Sequence, residues 1–418
     1  MRENDSYLGK PEGKGRSFPR LLLAFEVVQF RWLWSSILFS SMSMGVRSLA
    51  QGWLVLEITD SPFWVGAVAG LQGLGLVGFG AFGGTIVDRF DKRRALAAVH
   101  FIGGGMALLA GILVITDHIE LWHLLIIALI QGLLMATQLP ASNAMAYQIV
   151  GPQRLLNAMA TRLMAMNMSR IIGSLIAGAL ITNYGVGSSY LLAASGSFLG
   201  LGFLWFVKGS FQASSQREPF LQATSQGLQY IWGAKNIRGL LLLSLFMEAF
   251  GFSHLVMMPV MARDVLNVGA TGLGYLSAAS GIGSTLSTLT VAGLGDFKSK
   301  GALLTGTALC AGISLVFFAF SPWLAVSLVM VALAGGSLMA YDVTMGTMLQ
   351  LISQDEMRGR VMGVYGLTFG FTPVGGFLAG SVAAALSAPI AVATGGMIIL
   401  VYIASMFRFI VRINPRAW

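Results

Sequence analysis

The sequence predicts an all-α polytopic membrane protein with twelve transmembrane helices in two six-helix bundles, and three observations carry that prediction. Hydrophobic residues fill 56% of the 418 positions and charged residues only 10%, against about 25% charge in an ordinary soluble domain. Apolar runs near the roughly 20 residues that cross a bilayer recur along the whole chain. Basic residues gather in the polar segments on one side of those runs, as Lys and Arg do on the cytoplasmic side of membrane proteins.

Taken in order, residues 1–30 read as a cytoplasmic tail, with residues 18–30 lying on the membrane surface. The tail is too long and polar ahead of its short run Leu21-Leu22-Leu23-Ala24-Phe25 to be a cleaved secretory signal. Apolar runs at 33–56, 63–87, 95–116, 121–137, 155–181 and 188–207 form the first bundle, which occupies 31–207. The fourth run is short, so its helix is expected to continue to Pro140 or beyond. Residues 208–237 are the longest internal polar segment and form a cytoplasmic linker. Within it Phe220, Thr224, Leu228, Ile231 and Trp232 fall near helical spacing, which predicts a helix lying in the interface. The second bundle, 238–418, carries runs at 239–261, 271–294, 302–320, 323–345, 361–386 and 389–411 and a short cytoplasmic tail. Glycine at 53 positions fits this class, because small residues let membrane helices approach closely.

Charge sets the expected orientation. Of the 26 Lys and Arg, only Arg263 falls on the outer side when the N-terminus is placed inside, and Arg47, Arg162 and Arg170 lie within spans. The net charge of +9 is therefore a topology signal, and basic residues scattered over loops on one membrane face do not make a nucleic-acid surface. No Gly-x-x-x-x-Gly-Lys phosphate loop and no His/Cys metal constellation occurs. The single Cys310, in the ninth run, excludes a disulfide framework. The expectation is thus no enzyme, no metal and no cofactor, with transport drawing on ion or substrate gradients.

The two bundles repeat one another. Gly66 and Asp88 around the second run correspond to Gly274 and Asp296 around the eighth at one offset of 208 residues, with Ala292 in place of Gly84. A parallel six-plus-six repeat implies binding near the bilayer midplane, between halves that rock.

Residues 88–94 pack six charges into seven positions between two apolar runs. Gly84-x-x-x-Asp88-Arg89 followed by Lys92, Arg93 and Arg94 resembles the signature loop of the major facilitator superfamily. Trp53 to Pro62, Pro140-Ala141-Ser142-Asn143, Gly151 to Ala158, Gln350 to Val361 and Thr372 to Gly376 are similar to the branch holding macrolide-type drug efflux pumps and catecholate-siderophore (enterobactin-type) exporters. That resemblance implies a secondary active transporter, a proton-coupled antiporter for efflux and drug resistance, with a cavity lined by spans one, four, seven and ten. Two positions depart from the pattern. Ala128 stands where related exporters carry an Arg three residues before Gln131-Gly132, and Ser174 stands where a Pro follows Gly173.

An ionisable group inside the hydrocarbon region costs several kcal/mol and is a functional candidate for that reason. Glu248 lies ten residues into its run, about 15 Å deep, and is the first candidate to carry a proton. The alternative is a permanently neutral Glu bonded to a neighbouring helix. Asp342, beside Tyr341, is the second, as proton carrier, substrate ligand or member of an ion pair. Arg47 and Gln51 share a face at i, i+4 spacing, and either Arg47 binds an anionic group or counters Glu248, or it is tied to backbone carbonyls. Gln131, Arg170, Phe252 and Tyr341 are further candidates for the cavity wall. Arg170 is expected deep in the fifth span and Arg162 at the interface, snorkelling. His254, six residues past Glu248, is expected on another face. Gly84, Asp88, Arg89, Arg93, Arg358 and Arg360 form an expected cytoplasmic latch, with Asp88 accepting from the N-terminus of the eleventh span. The expected partners are a small-molecule substrate, protons and the bilayer, for a monomer in the plasma membrane with both termini inside. Export of a dedicated metabolite such as a catecholate siderophore is the alternative within transport, and a non-transporting sensor or scaffold the alternative outside it.

Overall fold

A computed structural model describes residues 20–89, 91–209, 211, 220–295, 297 and 299–412. Those residues are helical nearly throughout, because a chain surrounded by hydrocarbon must satisfy its backbone groups internally. After a 3₁₀ turn at Arg20–Glu26 come α1 (Val28–Thr59), α2 (Pro62–Arg89), α3 (Lys92–Ile115), α4 (Leu121–Tyr184) and α5 (Val186–Trp205). The linker helix α6 (Phe220–Gly233) leads into α7 (Lys235–Phe246), a π-helical turn at Met247–Gly251, α8 (His254–Val260) and a second π turn at Met261–Val265. The chain continues through α9 (Gly269–Gly293), α10 (Lys300–Ala319), α11 (Leu324–Ile352), α12 (Asp355–Thr368), α13 (Phe371–Ala385) and α14 (Ala388–Arg412).

Among the described residues, nine helical segments are long and apolar enough to cross a membrane. The expected separate fourth and fifth runs are one of these, the 64-residue α4. A straight helix of that length would reach about 96 Å, three times the hydrocarbon thickness. It does not run straight. Gly151 has φ 72° and ψ 174°, a conformation for which a residue without Cβ is suited, and Pro152 follows. The Arg162 guanidinium donates to Asn143 Oδ1, 19 residues earlier, where a continuous helix would hold the two Cα atoms about 28 Å apart. The chain therefore folds back on itself at Gly151. The fourth helix passes Pro140 as expected and reaches the bend without any loop. Arg162 is buried at 5% exposure, not snorkelling, because Asn143 meets it inside the bundle.

The linker helix exposes Leu228 and Trp232, and Gly227 lies against Arg360 of α12. The Tyr230 hydroxyl accepts from Gln354 N–H at 3.4 Å. At the other end of the chain's first half, Glu26 pairs with Arg154 at 3.0 Å, docking the 3₁₀ turn onto α4. Residues 1–19 of the expected tail, residues 212–219 of the linker, and Asp296 lie outside the described residues.

Candidate translocation site

Glu248 sits in the first π turn, Met247–Gly251, with only 2% exposure. The extra residue of a π turn widens the helix and re-aims its side chains, and such turns occur often at functional sites. A Cβ placed on Gly375 would lie 1.6 Å from Ala249 O, so α13 presses its backbone directly onto the turn. That contact brings Thr372, three residues before Gly375, to Glu248, and its hydroxyl donates to Oε2. The other oxygen, Oε1, is buried without a hydrogen-bond partner among the described residues. Asp342 of α11 is within electrostatic range of Glu248. Its Oδ1 is likewise buried and unpartnered, while Tyr365 donates its hydroxyl to the Asp342 backbone carbonyl at 3.2 Å. The Tyr341 hydroxyl beside it is buried without a partner too. Two carboxyls, two phenols and one threonine hydroxyl from four helical segments thus converge, with free acceptor capacity on both acids.

Among the described residues, no side-chain hydrogen bond or ion pair joins the remaining candidates to the two acids. Arg47 Nη1 donates to Gly103 O on α3 at 3.2 Å and lies beside Tyr190 of α5. Of the readings open for Arg47, a tie to a backbone carbonyl is the one seen; no ion pair joins it to Glu248 or Asp342 among the described residues. Gln51 and Gln131 are buried, and Gln131 Nε2 has no partner. Phe252 is half-buried and closes the π turn by donating its N–H to Met247 O at 3.3 Å. Arg170 lies between elements before and after the linker: its Nη2 donates to Ser284 Oγ on α9 at 3.4 Å. His254 is in the field of Arg170. Its Nδ1 donates to Gly251 O at 2.6 Å, and its Nε2 is buried without a hydrogen-bond partner among the described residues.

Two of the expected latch residues, Arg93 and Arg358, lie at helix C-termini. Arg93 donates to Leu204 O at 3.2 Å and Trp205 O at 2.8 Å, closing the C-terminus of α5. Arg358 pairs with Asp355 at 2.6 Å and donates to Gln350 O at 3.0 Å, which caps α11. Both therefore satisfy the last carbonyls of a neighbouring helix. The side chains at Gly84, Asp88 and Arg89 lie outside the described residues.

Close contacts between elements before and after the linker sit toward one end of the bundle. On Gly66 of α2 a Cβ would lie 2.7 Å from Gly376 O and 3.0 Å from Gly380 Cα of α13. On Gly274 of α9 it would lie 2.8 Å from Ser174 O of α4. Thr182 and Thr271 share a hydroxyl hydrogen bond at 2.8 Å. Beside them Arg263 reaches from the second π turn to Leu56 O of α1 at 2.9 Å and to the Asp60 carboxylate. Toward the other end Gly370 still meets Val77, while among the described residues a Cβ on Gly78 or, on α12, on Gly359, Gly363 or Gly366 would meet nothing within 4 Å. The one hint of the Arg263 contact in the sequence was its position as the only basic residue expected on its side. The π turns left no mark in composition.

Residues 22–416 match the family described as Transmembrane secretion effector. The chain is 24% identical over 340 residues, 80% of each protein, to the enterobactin exporter EntS of Escherichia coli O1:K1 / APEC. It shows the same 24% over the same coverage to that of strain 536. Among solved structures, the nucleoside transporter NupG superposes with a TM-score of 0.75 at 14% identity, over 92% of this chain and 100% of that one. A bacterial homologue of the human lysosomal transporter Spinster, inward-facing and unoccupied, gives 0.70 at 14%, over 95% and 98%. The family match spans nearly the whole chain, so this protein belongs to the transmembrane secretion effector family of the major facilitator superfamily and is a membrane transporter, not an enzyme.

Proposed function

We propose that the chain is a proton-coupled exporter of amphipathic small molecules that works by alternating access. Counting α4 as two spans about Gly151, α7 to the second π turn as one, α12 with α13 as one, and adding the more polar α1 and α9, gives twelve spans. They group as 31–207 and 238–418 about the 208–237 linker. The excess of Lys and Arg assigns the end carrying the linker to the cytoplasm, with both termini there and a monomer in the plasma membrane. The contacts at Gly66, Gly274 and Arg263 then close the outer side, and the open packing below Val77 faces inward.

One observation carries the coupling: Glu248 in its π turn, with Oε1 unpartnered and Asp342 in its field. Two neighbouring carboxylates in an apolar site cannot both be charged without a large cost, so the pair holds at least one proton unless a cation replaces it. Substrate arriving at the pair would expel that proton, and the outer-facing state would restore it. A second reading, export of a dedicated metabolite such as a catecholate siderophore, is favoured by the names of the EntS relatives and by Arg170, whose charge at the interface of the halves has no acid partner among the described residues. The sensor or scaffold alternative has no observation in its favour.

The test is transport by purified protein in liposomes under an imposed pH gradient. Efflux should follow the proton gradient in the wild type and lose that dependence in the double variant Glu248→Gln, Asp342→Asn. Gradient-driven efflux by the double variant would remove both acids from the mechanism.

A further inference from the structure

We propose that Arg263 is the gate residue of the outer side, a reversible tie between the end of the seventh span and the C-terminus of α1 that sets how readily the pathway opens outward. The proposal rests on the alternating-access reading above. Arg263 uses its donors in two sets. Nε and Nη2 reach Asp264 Oδ1 and Oδ2 at 2.5 and 3.3 Å, so its own helical segment holds the guanidinium in a fixed plane. The donors left over cross to α1, Nη1 to Leu56 O at 2.9 Å and Nη2 to Asp60 Oδ1.

The receiving end is suited to a cation. Leu56 O already accepts the Asp60 N–H at 3.0 Å, the bond that closes α1, and the last carbonyls of a helix carry its partial negative charge. Asp60 adopts φ 50°, which turns the chain directly into α2. Its side chain is 85% exposed against 28% for Arg263. An exposed pair of this kind contributes little in water, and weakness is what a gate opened in every cycle requires. When the tie breaks, Asp60 and Leu56 O rehydrate and Asp264 still pairs with Arg263, so no charge is left without a partner.

The internal repeat shows that this contact is an addition to the fold. An offset of 208 carries Asp60 to Val268 and returns Arg263 to Val55, so the symmetry-related positions are apolar. The other outer contacts, Gly66 with Gly380, Gly274 with Gly178 and Thr182 with Thr271, are uncharged. Among the described residues, Arg263 alone gives the closed outer side an ionic component.

The experiment reads closure directly, without transport. In a Cys310→Ser background, Thr182→Cys and Thr271→Cys are oxidised to a disulfide that forms only while the outer side is shut. Arg263→Ala or Asp60→Ala should slow this cross-linking by roughly two- to fivefold, the range open to an exposed ion pair, and combining them should add little. Raising salt from about 0.01 M to about 1 M, where the Debye length falls from about 30 to about 3 Å, should slow it in the wild type and not in Arg263→Ala. Arg263→Lys, which keeps the charge and loses the fork, should fall between. Unchanged melting temperatures in these variants would separate gating from misfolding. Cross-linking and salt response in Arg263→Ala equal to those of the parent would overturn the proposal, whether or not the chain proves to be an exporter.

Discussion

Gly66→Ala is the smallest change that sets the Gly66–Gly380 contact, proposed to close the outer side, against itself. The added methyl would stand 2.7 Å from Gly376 O, 3.0 Å from Gly380 Cα and 3.2 Å from Phe377 Cα. All three are backbone atoms, so no side chain can rotate away and α2 must move off α13. Overpacking of this kind costs about 1–3 kcal/mol. In the outward-open state the same methyl faces the parted pathway and costs nothing, so the whole amount acts on the closed-to-open ratio, a shift of about 5- to 150-fold. The assay is the Thr182–Thr271 cross-link together with transport rate. The cross-link should slow strongly and transport should fall, since the inward-open state is under-populated. Gly105→Ala is the control, because a Cβ there meets nothing within 4 Å. If Gly66→Ala behaves like that control, the Gly66–Gly380 contact is no part of a moving interface and the alternating-access reading of this end fails.

Three more outcomes are expected. Gly151→Ala should lower thermal stability by about 1–3 kcal/mol, because φ 72° with ψ 174° is a glycine conformation; no loss on a melting curve would show that the bend relaxes. Asn143→Leu should destabilise more than Arg162→Met, since the first leaves a buried guanidinium without its acceptor, about 1–3 kcal/mol, and the second removes the charge itself; the reverse order in detergent melting would refute the assignment. Asp88→Asn should abolish transport while the protein still inserts, and normal efflux by that variant would remove the inner latch.

Hydropathy located the apolar helices because length and apolarity are what the bilayer selects, and Glu248, picked out by its place within one of them, is buried. Azimuth is a different matter. It accumulates 100° per residue, so an end misplaced by two residues, or one π turn, turns a face elsewhere. His254 was expected on another face from Glu248 by a regular helix; three further residues of the π turn and two of the break after it lie between them, and His254 is in the field of Arg170. Arg47 shares a face with Gln51 as expected, yet that face meets Gly103 and Tyr190, a fact only three-dimensional packing decides. Arg162 was placed at the interface because a loop was expected before residue 155; the tight bend at Gly151 instead laid Asn143 against it. Arg93 and Arg358 were listed with the expected latch around Asp88, and their donors reach helix carbonyls of their own half. Local carbonyls compete well for any arginine beside a helix end.

The central claim is that Glu248 and Asp342 exchange a proton for substrate, and proton release on binding tests it most directly. A compound that raises the melting temperature of the purified protein is added in weakly buffered detergent solution while the pH is followed. The account predicts proton release by the wild type and none by the Glu248→Gln, Asp342→Asn variant, with Arg263→Ala releasing as the wild type does. Equal release by the double variant, or binding without release in the wild type across the pH range of transport, would contradict it.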